Sequence, residues 1–181
     1  DIEVVSAGEK PLLEAGFGST RLAAVRAALQ DPWTAAWRFD RAVRLAAAQL
    51  APRYSRRAVV FLTEGSLAPD AFAEFSLAQV ASYLANNGIA FYAVRFGPAA
   101  AEELAYLCSE TGGKSYYYFA PQGIYGLVQE AAGRRGSFYT LRYRSRLNPD
   151  FGRRYIDLQV EASLHRRSGR AESGYFAPLS E

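Results

Sequence analysis

Hydrophobic positions in the first 133 residues alternate between two patterns. Short, nearly continuous apolar runs are separated by stretches in which apolar residues return every three or four positions. Runs at residues 2–7 and 12–17, split by Gly8 and Pro11, predict two short strands. Ser19 or Thr20 can cap a following helix that carries Leu22, Val25 and Leu29 on one stripe, and Asp31-Pro32 ends it. A second helix places Ala35, Phe39, Val43, Ala46 and Leu50 on one side and Arg38, Arg41 and Arg44 largely on the other. Residues 58–63 and 89–96 are unbroken apolar runs, the pattern of strands buried on both faces of a parallel sheet. Between them, Pro69 and Asp70 open a helix with Phe72, Phe75, Val80 and Leu84 apolar, stopped by Asn86-Asn87-Gly88. Gly97-Pro98 start a short helix that reaches Cys108 and closes at Thr111-Gly112-Gly113. Residues 116–119 form a further strand and 124–132 a further helix.

Strand and helix in alternation, joined by short turns, read as βαβ units and a doubly wound, mostly parallel sheet with helices on both faces. After Gly136 the period changes to two. Tyr139, Leu141 and Tyr143 alternate with polar residues, as do Ile156, Leu158, Val160 and Ala162, and residues 148–152 (NPDFG) between them are rich in turn formers. The expectation is an α/β body over residues 1–136 with an antiparallel hairpin over 137–181 packed on the same domain.

Composition narrows the function classes. Half of the 181 residues are hydrophobic and 22% are charged, which suits one well-cored domain. No apolar run approaches the roughly 20 residues of a spanning helix, and the first residues lack a signal peptide's basic start. The net charge of +3 is uneven: from Arg134 onward ten arginines face five acids. That segment is a solvated hairpin face or a contact for an acidic partner, a membrane surface or nucleic acid. Cys108 is the single cysteine, so no intrachain disulfide forms, and its helical neighbours Leu104 and Leu107 mark it as a small core residue.

Candidate chemistry belongs at the carboxyl ends of the strands, where open α/β sheets bind ligands. Glu64, Ser66 and the residues after Phe96 lie there. From its position Glu64 can bind a cation, act as a general base or cap the next helix. Catalytic arrangements are poorly supported. The single His165 sits in the hairpin beside Arg166 and Arg167, away from any core strand. Gly16 to Thr20 (GFGST) opens a helix like an anion cradle but lacks the spacing of a phosphate loop, and Gly112-Gly113-Lys114 precedes a strand rather than a helix. Tyr116-Tyr117-Tyr118 reads as an aromatic strand with alternate rings in the core, the other reading being a stacking platform for bases.

Four segments resemble one family. AVVFLTEG (58–65), IAFYAVRFG (89–97), LAYLCSETGGK (104–114) and the tail FYTLRYRSRLNPDFGRRYIDLQVEASL with ESGYFAP are similar, in order and spacing, to von Willebrand factor A (VWA) domains of the bacterial kind that end in a hairpin and a GYFAP-like segment. The resemblance covers most of the chain from about Arg57. It implies a Rossmann-like sheet and a protein-interaction or adhesion role, in which a divalent cation is held by D-x-S-x-S, a loop threonine and the acid of T-D-G. Here D-x-S-x-S is absent and the acid is Glu64, whose extra methylene carries the carboxylate about 1.5 Å further out. Thr34 stands where the loop threonine would. Two oxygens do not hold Mg²⁺ strongly, because a hard cation needs about six. The adhesion site is therefore expected to be degenerate, with no cofactor.

The resemblance also places residues 2–7 at the family's second strand, so its first strand lies before residue 1. A longer polypeptide, or another chain, is expected to supply that strand, since otherwise long sheet edges stay open. The resulting expectation is a non-enzymatic protein-binding domain using Thr34, Glu64, Ser66 and Gly97, located extracytoplasmically or secreted, the cytoplasm being the other reading. The alternatives are a nucleotide-binding or hydrolytic α/β subunit using residues 16–20, and nucleic-acid binding through the arginine-rich hairpin.

Overall fold

The structure is a computed structural model that describes residues 1–30, 37–53, 56–133, 143–146 and 155–176. Strands β1 (Val4–Ser6) and β2 (Leu12–Ala15) form an antiparallel ribbon of their own. Helices α1 (Arg21–Gln30) and α2 (Phe39–Leu50) follow. Then come β3 (Arg57–Thr63), α3 (Leu77–Asn86), β4 (Ile89–Arg95), α4 (Glu102–Thr111), β5 (Ser115–Tyr117) and α5 (Tyr125–Gly133). Strands β3, β4 and β5 make a parallel sheet in that order, with Arg57 opposite Ile89 and Thr63 opposite Arg95. The chain thus has the expected α/β architecture with a C-terminal antiparallel hairpin.

The main core lies on one face of this sheet. Phe39 at the start of α2 has no solvent exposure and packs against Phe61 (4.9 Å between ring centroids), Phe72 (5.4 Å) and Phe91 (6.1 Å). Val80 and Leu84 of α3 and Leu104 and Leu107 of α4 complete it. On the other face, Leu127 of α5 packs with Ala90, Tyr92 and Val94 of β4. Strand β4 is therefore covered on both sides, as its sequence predicts.

Strand β3 departs from that expectation. Val60 and Leu62 are 46% and 61% exposed, because no described helix lies over them. In α1 the same happens to Leu22, Val25 and Leu29, which face solvent while Ala24 is buried, although Thr20 does cap the helix by accepting from the Ala23 N–H.

The helix expected from Pro69 begins later. Ser76 and Gln79 form a reciprocal capping box that nucleates α3 at Leu77, so residues 69–75 run as turns. Likewise α4 starts at Glu102 rather than at Gly97-Pro98, since the Gly97 and Ala101 amides are bonded to the end of β3. Its closing Thr111-Gly112-Gly113 has three separate roles. The Thr111 hydroxyl accepts from the Phe91 N–H at 2.9 Å and donates to the Leu107 carbonyl at 2.7 Å. Gly112 takes the left-handed cap conformation (φ 70°). Gly113 passes so close to β4 that a Cβ would lie 1.8 Å from the Phe91 oxygen.

The C-terminal hairpin is present, and the pairing it shows is between residues 155–164 and 167–176. Strand β6 (Tyr155–Leu164) pairs with β7 (Arg167–Phe176) across a two-residue turn in which His165 adopts φ 53°. Alternation marks β6 as a strand but does not name its partner, and β7, RSGRAESGYF, has no apolar alternation to announce itself. Residues 134–142 and 147–154, including the expected turn at 148–152, lie outside the described residues. Strand β7 packs along α3, and Tyr155 and Tyr175 reach the main core.

Candidate functional site

The carboxyl ends of β3 and β4 are joined beyond the strands themselves. The carbonyls of Thr63, Glu64 and Gly65 accept in turn from the amides of Phe96 (2.9 Å), Gly97 (3.0 Å) and Ala101 (2.8 Å). This contact requires glycine at two places. A Cβ on Gly65, which has φ 115°, would lie 2.0 Å from the Ala99 oxygen, and one on Gly97 would lie 2.3 Å from the Glu64 oxygen. The Thr63 hydroxyl accepts from the Gly65 N–H at 3.0 Å and tightens the turn. The outcome is a rigid rim from which the Glu64 and Ser66 side chains project into solvent.

Charged side chains brace this rim from two directions. Arg95 donates to the Ala99 carbonyl (2.8 Å) and to the Ser115 hydroxyl (3.1 Å), tying the β4–α4 loop to β5. From the side, Asp40 in the first turn of α2 is wholly buried and accepts from the Glu74 (2.8 Å), Phe75 (3.0 Å) and Arg41 (2.8 Å) amides. Arg38 pairs with Asp70 at 2.7 Å and Arg41 with Glu74, so one helix end anchors the whole loop after β3. Asp40 reads in the sequence as an ordinary acid near a helix N-terminus. Two of its three amide partners lie 34 and 35 positions away, and nothing local points to them.

Between the two loops lies an open cleft of about 390 Å³, walled by Leu67, Pro69, Phe72 and Ala100 with Ser66 and Glu103 at its polar margin. Glu64, Glu102 and Glu103 are exposed and enter no ion pair among the described residues, so the rim is acidic beside an apolar recess.

Of the expected site residues, Glu64, Ser66 and Gly97 are brought together here, and Thr34 lies outside the described residues. The reading of Glu64 as a helix cap is corrected, since Ser76 caps the next helix. Among the described residues no group of three or more His, Cys, Asp or Glu side chains converges, and Glu64 is the one carboxylate carried over from the family pattern.

Other candidates are absorbed by the fold. Cys108 is buried, and burial pushes its thiol up to about 11 against a lowering backbone hydrogen bond from Ala93, the reverse of a reactive thiolate. In the loop at residues 16–20, the Thr20 hydroxyl is taken up by its own helix and Phe17 lies under the Arg53 guanidinium (4.4 Å). Tyr116 packs beneath α5, while Tyr117 and Tyr118 are exposed. His165 is exposed at the hairpin turn. No described helix is long and apolar enough to cross a membrane.

Comparison with protein-family models gives no match, and comparison with curated proteins gives none either. Solved structures do match. The chain is similar to the SpRpn10 VWA domain, with a TM-score of 0.53 and 16% identity over 76% of this chain and 75% of that one. It is also similar to a von Willebrand factor type A protein from Catenulispora acidiphila, with a TM-score of 0.50 and 17% identity over 72% of this chain and 31% of that one. Together with the parallel β3–β4–β5 sheet and its interlocked strand ends, these likenesses establish that the chain has a VWA-like fold.

Proposed function

We propose that this chain is a non-enzymatic protein-interaction domain that holds its partner at the rim formed by Glu64, Ser66 and Gly97. The observation that carries this reading is the rim itself. Three consecutive backbone hydrogen bonds and two obligatory glycines fix the loops, so the side chains above them are presented without an ordering cost on binding.

The chemistry of the rim favours a particular contact. Glu64 is an exposed acid that attracts a basic group directly, and Glu103 at the margin of the neighbouring cleft adds to that field. The apolar recess of that cleft takes one hydrophobic side chain. The preferred partner surface therefore carries a lysine or arginine next to an aliphatic or aromatic residue, the combination that supplies interface hot spots. An adhesion role and an extracytoplasmic setting are part of the same proposal.

A photo-crosslinking residue placed at Ser66, and in parallel at Arg170 on the distant hairpin, tests this in cells that make the protein. Partner adducts are expected at position 66 and not at 170. Glu64→Lys is expected to abolish them while leaving the melting temperature unchanged. Equal labelling at the two positions, or indifference to Glu64→Lys, rules the rim out as the binding face.

A further inference from the structure

An aromatic ledge continues the rim on its β5 side. Phe96, the residue before Gly97, has its ring 4.9 Å from that of Tyr118. Tyr118 meets Phe119 edge-on at 5.2 Å, and Phe119 meets Tyr117 edge-on at 5.8 Å. All four rings reach the surface, and Phe119 is 65% exposed. Large aromatic rings gain much from burial, so four of them joined in a row at the surface mark a contact face.

The backbone beneath the ledge is pinned like that of the rim. The Tyr118 amide donates to the Arg95 carbonyl at 2.9 Å, which carries the β4–β5 pairing past the end of β5. Next, the Ala120 amide donates to the Tyr117 carbonyl (3.1 Å) and the Gly123 amide to the Ala120 carbonyl (2.8 Å). Gly123 takes φ 50° in this turn.

Charge decides what such a face can take. Residues 115–129, SYYYFAPQGIYGLVQ, contain no charged side chain. The two charges that flank them, Lys114 and Glu130, pair with each other. Arg95 at the end of β4 is already engaged: it donates to the Ala99 carbonyl and the Ser115 hydroxyl, and its guanidinium lies 5.9 Å from the Tyr117 ring centre. The adjoining rim supplies an acid, Glu64. A phosphate chain or an anionic membrane needs a row of available cations, and this face offers the reverse.

We infer that the ledge binds a proline-rich peptide segment in the extended polyproline II form, with a lysine or arginine at the end that reaches Glu64. Proline rings are uncharged and apolar, and they dock between exposed aromatic rings. The polyproline II backbone makes no internal hydrogen bonds, so its carbonyls accept from the phenols of Tyr117 and Tyr118. Such a chain is extended before it binds and loses little freedom in docking. The basic end of this segment rests on the reading of the rim given above, whereas the stacking of prolines on the ledge stands without it.

The probes are three fluorescently labelled peptides, PPPPPPPPPP, PPPPPPPPRR and GSGSGSGSGS, added to the full chain. Anisotropy measures affinity, and the ring resonances of Phe96, Tyr118 and Phe119 locate the contact. Both proline peptides are expected to bind and to shift those rings, and the glycine-serine peptide to do neither. Tyr118→Ser with Phe119→Ser should weaken the all-proline peptide by about tenfold or more at an unchanged melting temperature. Tyr118→Phe, which keeps the ring and the fold, should lose less. The arginine-ended peptide is expected to bind more tightly than the all-proline one, and Glu64→Lys to reverse that order without weakening the all-proline peptide. The inference is overturned if neither proline peptide shifts the rings, if the glycine-serine peptide binds as well, or if oligothymidine or a cello-oligosaccharide binds the ledge more tightly. Proline binding that is indifferent to Glu64→Lys overturns the basic contact at the rim and leaves the ledge standing.

Discussion

Strands β3 and β4 are adjacent, parallel and almost equally apolar, yet they live in different environments. Six of the seven residues of β4 are buried, from Ile89 to Val94, because α3 and α4 lie on one side of it and α5 on the other. In β3 Val59 and Phe61 pack on the main core and Ala58 on the second cluster, while Val60 and Leu62 are exposed. An apolar run therefore states what a strand can bury, not what is there to bury it. The same holds within the loops at the strand ends, where buried Asp40 and exposed Glu64 are both acids near apolar segments but serve opposite ends, one holding the backbone and the other offered outward.

The largest effects should fall on the β4 side. Phe91→Ala is expected to cost about 3–5 kcal/mol, whereas Leu62→Ala should stay within about 0.5 kcal/mol, both read from urea unfolding. If the two cost alike, the contrast between the strands is wrong. Asp40→Ala comes next. It leaves the buried Phe75 amide without an acceptor, at about 1–3 kcal/mol, and the part-buried Glu74 amide as well, and Asp40→Asn, which keeps one acceptor, should recover part of the loss. Glu64→Ala, on the exposed acid of the pair, should leave stability unchanged in the same titration.

Gly113→Ala is expected to destabilise by about 1–3 kcal/mol, since its Cβ would meet the Phe91 carbonyl. Gly16→Ala, with open space around it, is the control and should lie near zero by thermal melting. The smallest effect concerns an ion pair. Lys114, hydrogen-bonded to Glu130, holds that carboxyl below its ordinary value of 4.5. A depressed carboxyl stabilises the fold at pH above the unfolded value and loses that contribution as pH falls through the folded one. Lys114→Ala should thus remove a slight stability difference between pH 7 and pH 3, and salt should remove it too. An unchanged pH profile, or an unshifted Glu130 resonance in an NMR titration, would break the assignment.

Much of the framework was legible from periodicity. The parallel strands at β3 and β4, the helix stops at Asn87-Gly88 and Gly112, and the core role of Cys108 all follow from local pattern. The strand-end position of Glu64 and Ser66 was legible for the same reason. Less legible were long-range contacts. The alternation in β6 did not announce β7 as a partner, and residues 69–75 looked helical until the capping box at Ser76 and the grip of Asp40 decided otherwise.

Sequence alone determined the order and type of the elements from β1 to α5, since strand and helix periods are local properties of the backbone and of side-chain spacing. Tertiary structure decided which apolar faces are covered, which acid is buried, and that glycines at 65, 97 and 113 mark backbone contacts. Those outcomes depend on groups tens of residues apart meeting within a few ångströms, and no local pattern encodes such a meeting.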